Sequence, residues 1–168
     1  MNTLTKNESN IDQLSQSAPP ITEFDKSVFV DQNAVSEIKH GSPKYKYVIV
    51  LTSGNEDGGK RATLAFSAAC TAQAMDLDTR VFLVGDGSHW AYQGHSSDIH
   101  HNGFPALDEL LETFVSLDGE IYVCSACDTV CSTDVAEDGM MLIRRTDVQP
   151  QGLAAVLSHM VGGSSLTF

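Results

Sequence analysis

Three cysteines stand close together in this chain, in the run Cys124-Ser125-Ala126-Cys127-Asp128-Thr129-Val130-Cys131. A cysteine reacts as its thiolate, which attacks disulfides and persulfides and also binds metals. Cys124 directly follows the apolar triplet Ile121-Tyr122-Val123, so it is expected to end a strand and begin the next helix. There the free N–H groups and the positive end of the helix dipole favour the thiolate and lower its pKa. Offsets of three and seven put Cys127 and Cys131 on the same helical face, and the Cys124-x-x-Cys127 spacing also permits an internal disulfide. Reduced cysteine packs as a small hydrophobe as well, but three on one stripe at a strand end are too concentrated for packing alone. Cys70, isolated in an alanine-rich segment, reads as core.

Two further segments could carry chemistry. Gly54 to Lys60 fits G-x-x-x-x-G-K, the pattern of a phosphate-binding loop. Arg61 stands where a magnesium-holding Ser or Thr belongs, and Glu56 and Asp57 would repel phosphates, so a glycine turn with acids near a helix start is the favoured reading. The second segment, Gly85 to Gly103, is a long loop that holds His89, His95, His100 and His101 with Trp90 and Tyr92. Loops of this length are often lids or binding loops. Its histidine spacings match no ligand motif, so solvated histidines are expected; the alternative is a metal site of Cys124, Cys127, Cys131, His89 and His95.

The elements that must position these residues are legible as hydrophobic patterns. Tyr47 to Leu51 is an unbroken apolar run, the mark of a strand covered on both faces. Ala62, Ala65, Phe66, Ala69 and Ala72 lie at helical spacing between Arg61 and Met75, and small residues there allow close approach to the sheet or to another subunit. Val81 to Val84 is a second strand, closing at Gly85-Asp86-Gly87. Pro105 opens a helix with Leu107, Leu110, Leu111 and Phe114 on one face. Ile121 to Val123 gives a third strand, Met140 to Ile143 a fourth and Leu166 to Phe168 a fifth, after a helix striped by Leu153, Val156, Leu157 and Met160. Strands alternating with helices imply right-handed crossovers and a parallel sheet between helical layers. Working groups gather at the carboxyl ends of such strands. Ser53, Gly54 and Asp86 fall there with the cysteines, and are secondary candidates.

Composition bounds the partners. Twenty-two acidic and 10 basic side chains give a formal charge of −12, which argues against nucleic acid or an anionic membrane and for a basic protein partner. The sequence has no apolar stretch of the ~20 residues that a transmembrane helix needs, and its start resembles neither a signal nor a transit peptide. The cytoplasm is therefore expected, where clustered thiols are more often catalytic, redox-active or metal-binding than structural. Residues 1–43 are rich in Ser, Asn, Gln and Thr and show no sustained period, so they read as a flexible polar tail. Phe24 and Val28 to Val30 are the exceptions, and suit a docking segment. Residues 44–168 form the expected domain.

Four stretches taken in order carry a family resemblance: Val48-Ile49-Val50-Leu51-Thr52-Ser53-Gly54, Phe82-Leu83-Val84-Gly85-Asp86-Gly87, Ile121-Tyr122-Val123-Cys124 and Ser165-Leu166-Thr167-Phe168. Tyr45 to Phe168 resembles the DsrE-like family of bacterial sulfur metabolism. The resemblance implies an oligomeric three-layer α/β/α sandwich with a mainly parallel sheet of about five strands. It also implies sulfur relay, with a cysteine placed as Cys124 is carrying sulfur as a persulfide, and some members have a C-x-x-C matching Cys124 and Cys127. Cys131 has no counterpart in the family pattern, and Ile143-Arg144-Arg145-Thr146-Asp147 replaces its usual glycine-rich turn.

The leading expectation is a sulfur-carrier or sulfurtransferase subunit without a cofactor, working between donor and acceptor proteins as a homo-oligomer. Cys124 accepts the sulfur, and Cys127 receives it or releases it through a disulfide. Arg144 and Arg145 either stabilise the anionic sulfur or form surface salt bridges. The rivals are a thiol redox protein, the metal site above and a non-catalytic scaffold subunit.

Overall fold

Val48, Ile49 and Leu51 are buried on alternate faces of strand β1 (Lys46–Leu51), which explains why its sequence is apolar throughout. The structure is a computed structural model that describes residues 45–131 and 142–168; of Cys131 only the backbone is described. β1 pairs in parallel with β2 (Asp78–Leu83) and β5 (Ser164–Thr167), and β2 continues to β3 (Glu120–Cys124) and then β4 (Val148–Gln151). The result is a five-stranded parallel sheet of order β4-β3-β2-β1-β5.

Helices cover both faces. α1 (Lys60–Ala74) buries Ala62, Ala65, Phe66 and Ala69 and packs with α2 (Leu107–Ser116), whose Leu107, Leu110, Leu111 and Phe114 face inward. With Ile49, Leu51, Val81, Leu83, Ile121 and Val123 they make the larger core. Each large side chain fully buried there contributes roughly 1.5–3 kcal/mol. The small residues of α1 thus serve contact within the protomer. On the other face, Val48, Phe82 and Cys124 meet Val156 of α4 (Leu153–Met160), with Cys127 of α3 (Ser125–Cys131) packed beside them. This second layer is thinner, and it holds the thiols.

Two expectations need correction. The fourth strand is Val148–Gln151, whereas Leu142 and Ile143 lie in irregular chain; Met140 and Met141 fall outside the described residues. Hydrophobicity misplaced it because β4 is a sheet edge, paired on one side only, where Pro150 is tolerated. Leu142 to Arg145 instead docks on the histidine loop: Gln93 N–H donates to Ile143 O, Arg145 N–H donates to Ala91 O, and Tyr92 bridges Arg144. That loop is also more ordered than expected, since Gly85–Ala91 forms a 3₁₀ helix and Trp90 and Tyr92 are core residues. The reading of residues 1–43 lies outside the described residues.

Candidate functional site

β3 ends on Cys124 and α3 begins at once, so the thiol sits where the first helical N–H groups are free. Burial, with 8% of Cys124 exposed, pushes its pKa up. Hydrogen bonds from the backbone N–H and side chain of Cys127 and from Ala126 N–H outweigh that effect, and the net shift is downward. Cys127 Sγ in turn accepts a hydrogen bond from Gly85 N–H at 3.4 Å. Gly85 adopts a left-handed φ of +60 to turn the chain out of β2 towards the thiols. Both cysteines are free thiols. Cys70 is the contrast: buried, with its Sγ on Leu110 O, its pKa is pushed up to about 12.

Asp128 follows Cys127 and is the nearly buried centre of a polar cluster. Tyr92 Oη donates to its Oδ1 at 3.0 Å, and Arg144 Nη1 pairs with its Oδ2 at 2.7 Å. Arg144 therefore acts on the thiol helix through Asp128. Arg145 lies away from the thiols, held by both carboxylate oxygens of Asp147 at 3.1 Å and by Asp108 at 3.2 Å. Of the two roles expected for the arginines, ion pairing is the one the geometry contains, and it is partly buried. Sequence reasoning missed Asp128, and it placed Tyr92 in the long histidine loop without linking it to the thiols. The signal available for Asp128 was an acid directly after the second cysteine; nothing local tied Tyr92 to it.

The loops after β1 and β2 border an open cavity of about 440 Å3 lined by residues including Gly54, Gly85, Asp86, His89 and His95. The imidazoles of His89 and His95 stack at 4.0 Å. Burial first, then the neighbouring His95, lowers the His89 pKa to about 4, with Glu56 opposing. Ser53 is buried, its carbonyl accepting from Trp90 Nε1–H, and its Oγ has no hydrogen-bond partner among the described residues. The phosphate-loop reading fails on geometry: Asp57 accepts from Lys60 N–H and Arg61 N–H at 3.0 and 3.1 Å, filling the place a phosphate would take. His101 is drawn away to Gly58 O. Among the described residues, no three His, Cys, Asp or Glu side chains converge as a metal-binding group. Cys124, Cys127, His89 and His95 therefore do not form the alternative ligand set, and the Cys131 side chain lies outside the description.

Comparison with known proteins agrees with this architecture. Residues 46–160 match the model of the DsrE/DsrF-like family. The YchN protein from E. coli has a similar structure, with a TM-score of 0.55 at 19% identity, covering 74% of this chain and 99% of that one. A conserved protein of unknown function from Bacteroides thetaiotaomicron aligns with a TM-score of 0.46 at 9% identity, over 73% of this chain and 95% of that one. Among curated protein sequences no match is found. No helix among the described residues is long and apolar enough to cross a membrane.

Proposed function

The chain belongs to the DsrE/DsrF-like family, and from that premise we propose that it carries sulfur as a persulfide on Cys124. The observation that supports this best is the set of donors around Cys124: Ala126 N–H, Cys127 N–H and the Cys127 side chain. They favour the thiolate, which attacks the terminal sulfur of a donor persulfide R–S–SH. The new S–S bond gives Cys124–S–SH, and the donor leaves as R–S⁻. An acceptor thiolate then attacks the outer sulfur and regenerates the Cys124 thiolate. Cys127 can take that sulfur itself. It can also attack the inner sulfur, closing a Cys124–Cys127 disulfide and releasing HS⁻.

Donor and acceptor are proteins in this reading, and the free thiols suit a reducing compartment such as the cytoplasm. A homo-oligomer forms through α4, where Leu153 and Leu157 stay 60% and 61% exposed, with Val161 just past its end 74% exposed. A second reading, a thiol–disulfide redox protein, is favoured by the hydrogen bond that already joins Cys127 to Cys124. Mass spectrometry of the reduced chain after exposure to a small persulfide separates the two. Sampled from the earliest times, relay passes through a form with one added sulfur atom on the peptide containing Cys124, even where Cys127 later closes a disulfide; a redox pair loses two hydrogens and at no time gains sulfur.

A further inference from the structure

The cavity between the loops after β1 and β2 has no role in the chemistry above, yet two contacts join it to the thiol helix. Gly85 lines it and donates its N–H to Cys127 Sγ. Tyr92 also lines it, and its hydroxyl donates to Asp128. A molecule in the cavity therefore rests against the wall that holds Cys127. At about 440 Å3 the cavity admits a small organic molecule.

Among the described residues, carboxylates are the only permanently charged side chains in the lining. They belong to Asp86 and Glu56, and the lining contains no Lys or Arg. Glu56 is partly offset by Arg61 at 3.5 Å, so Asp86 carries the larger share. His89 is neutral at pH 7, its pKa being about 4. The cavity thus offers anionic oxygens, a neutral imidazole face and the ring of Tyr92, all of which favour a cation. Beside Gly54 in the wall, Ser53 is 3% exposed, and its hydroxyl has no partner among the described residues.

We propose that this cavity admits a second acceptor besides the protein one, a small thiol bearing an ammonium group that exchanges with Cys124 and Cys127. The cavity places the ammonium group against Asp86 and leaves the sulfur free to reach the cysteines. On a loaded chain the aminothiolate attacks the outer sulfur of Cys124–S–SH. The product is an aminothiol persulfide, and the electron pair of the broken S–S bond stays on Cys124 as its thiolate. The inference rests on the proposed relay only for the identity of the group transferred; charge selection applies to any exchange at these thiols.

The test therefore uses the reduced full-length chain without loaded sulfur. Its reaction with cystamine, a cationic disulfide, is compared with that of dithiodiglycolate, an anionic one, at low ionic strength and pH 7.5. Attack by the cysteine thiolate forms a mixed disulfide and expels half of the reagent as a thiolate. Rates are followed by mass spectrometry and divided by those of N-acetylcysteine amide, a neutral thiol, with the same reagents. The preference for cystamine should be about tenfold or more. Asp86→Asn should cut it severalfold, and Glu112→Gln, an exposed position on α2 outside the cavity lining, should leave it unchanged. Equal loss in the two variants would mean that overall charge, and not the cavity, sets the preference, and the proposal fails. It fails also if the parent shows no preference. A chain that selects cystamine but never holds a persulfide keeps the cavity assignment and sinks the relay.

Discussion

At the scale of single residues, the thiol of Cys124 owes its lowered pKa to neighbours that its own position recruits. Its place after an apolar triplet was legible in the sequence, and so was the favourable field of a helix start. What surrounds it was not. Asp128, Tyr92 and Arg144 are separated by 36 and 16 residues along the chain, and only the fold brings them together. Arg144 and Arg145 are adjacent yet bind different carboxylates, because successive side chains of an extended segment point to opposite sides. Arg144 pairs with Asp128, which lies four residues beyond Cys124 on α3, and balances its charge. Arg144→Ala should therefore raise the pKa of Cys124 and slow its alkylation at pH 7 about fivefold, from a charge effect of about 1 kcal/mol. Asp128→Asn in the same chain should restore the rate. Thiolate absorbance and iodoacetamide kinetics across pH check both. A purely structural role for Arg144 predicts no rescue.

Elements decide where those residues sit, and here the strands were easier to read than their connections. β1, β2 and β3 lie close to their apolar runs because they are interior strands. β4 was missed because one edge is unpaired and its sequence is polar. The 3₁₀ helix Gly85–Ala91 was read as open loop since glycine, serine and histidine dominate it, while the burial of Trp90 and Tyr92 arises from tertiary packing. Its His89 makes the loop sensitive to acid. The folded-state pKa of about 4 lies below the usual 6.5, so between these values the unfolded chain binds more protons than the folded one. Stability is fully present above pH 6.5 and falls as the pH drops towards 4. Urea unfolding at a series of pH values should show this loss, and His89→Gln should flatten the part that His89 contributes. His95 and Glu56 face His89, and they remain in that variant.

For the molecule as a whole, the parallel α/β plan was legible in the alternation of strand and helix, whereas its exposed surfaces were not. The alanine-rich helix, a candidate contact between subunits, is consumed by packing on the sheet and α2. The exposed apolar stripe is on α4, where the sequence promised a core face and Val156 alone among its apolar residues is fully buried. Light scattering at micromolar concentration should return a multiple of 18.1 kDa for the full chain, and residues 44–168 alone should likewise return a multiple of their own smaller mass. Leu157→Glu should shift the mass towards one copy; a monomeric parent would leave the stripe without its proposed role. The central claim is that sulfur enters on Cys124, and one comparison tests it most directly. The parent, Cys124→Ser and Cys127→Ser are loaded from a small persulfide under identical conditions, and bound sulfur is read by mass spectrometry. Loading should vanish in Cys124→Ser, persist in Cys127→Ser with slower release, and leave the circular dichroism of both unchanged. Cys124→Ser that loads sulfur as fully as the parent would contradict the account.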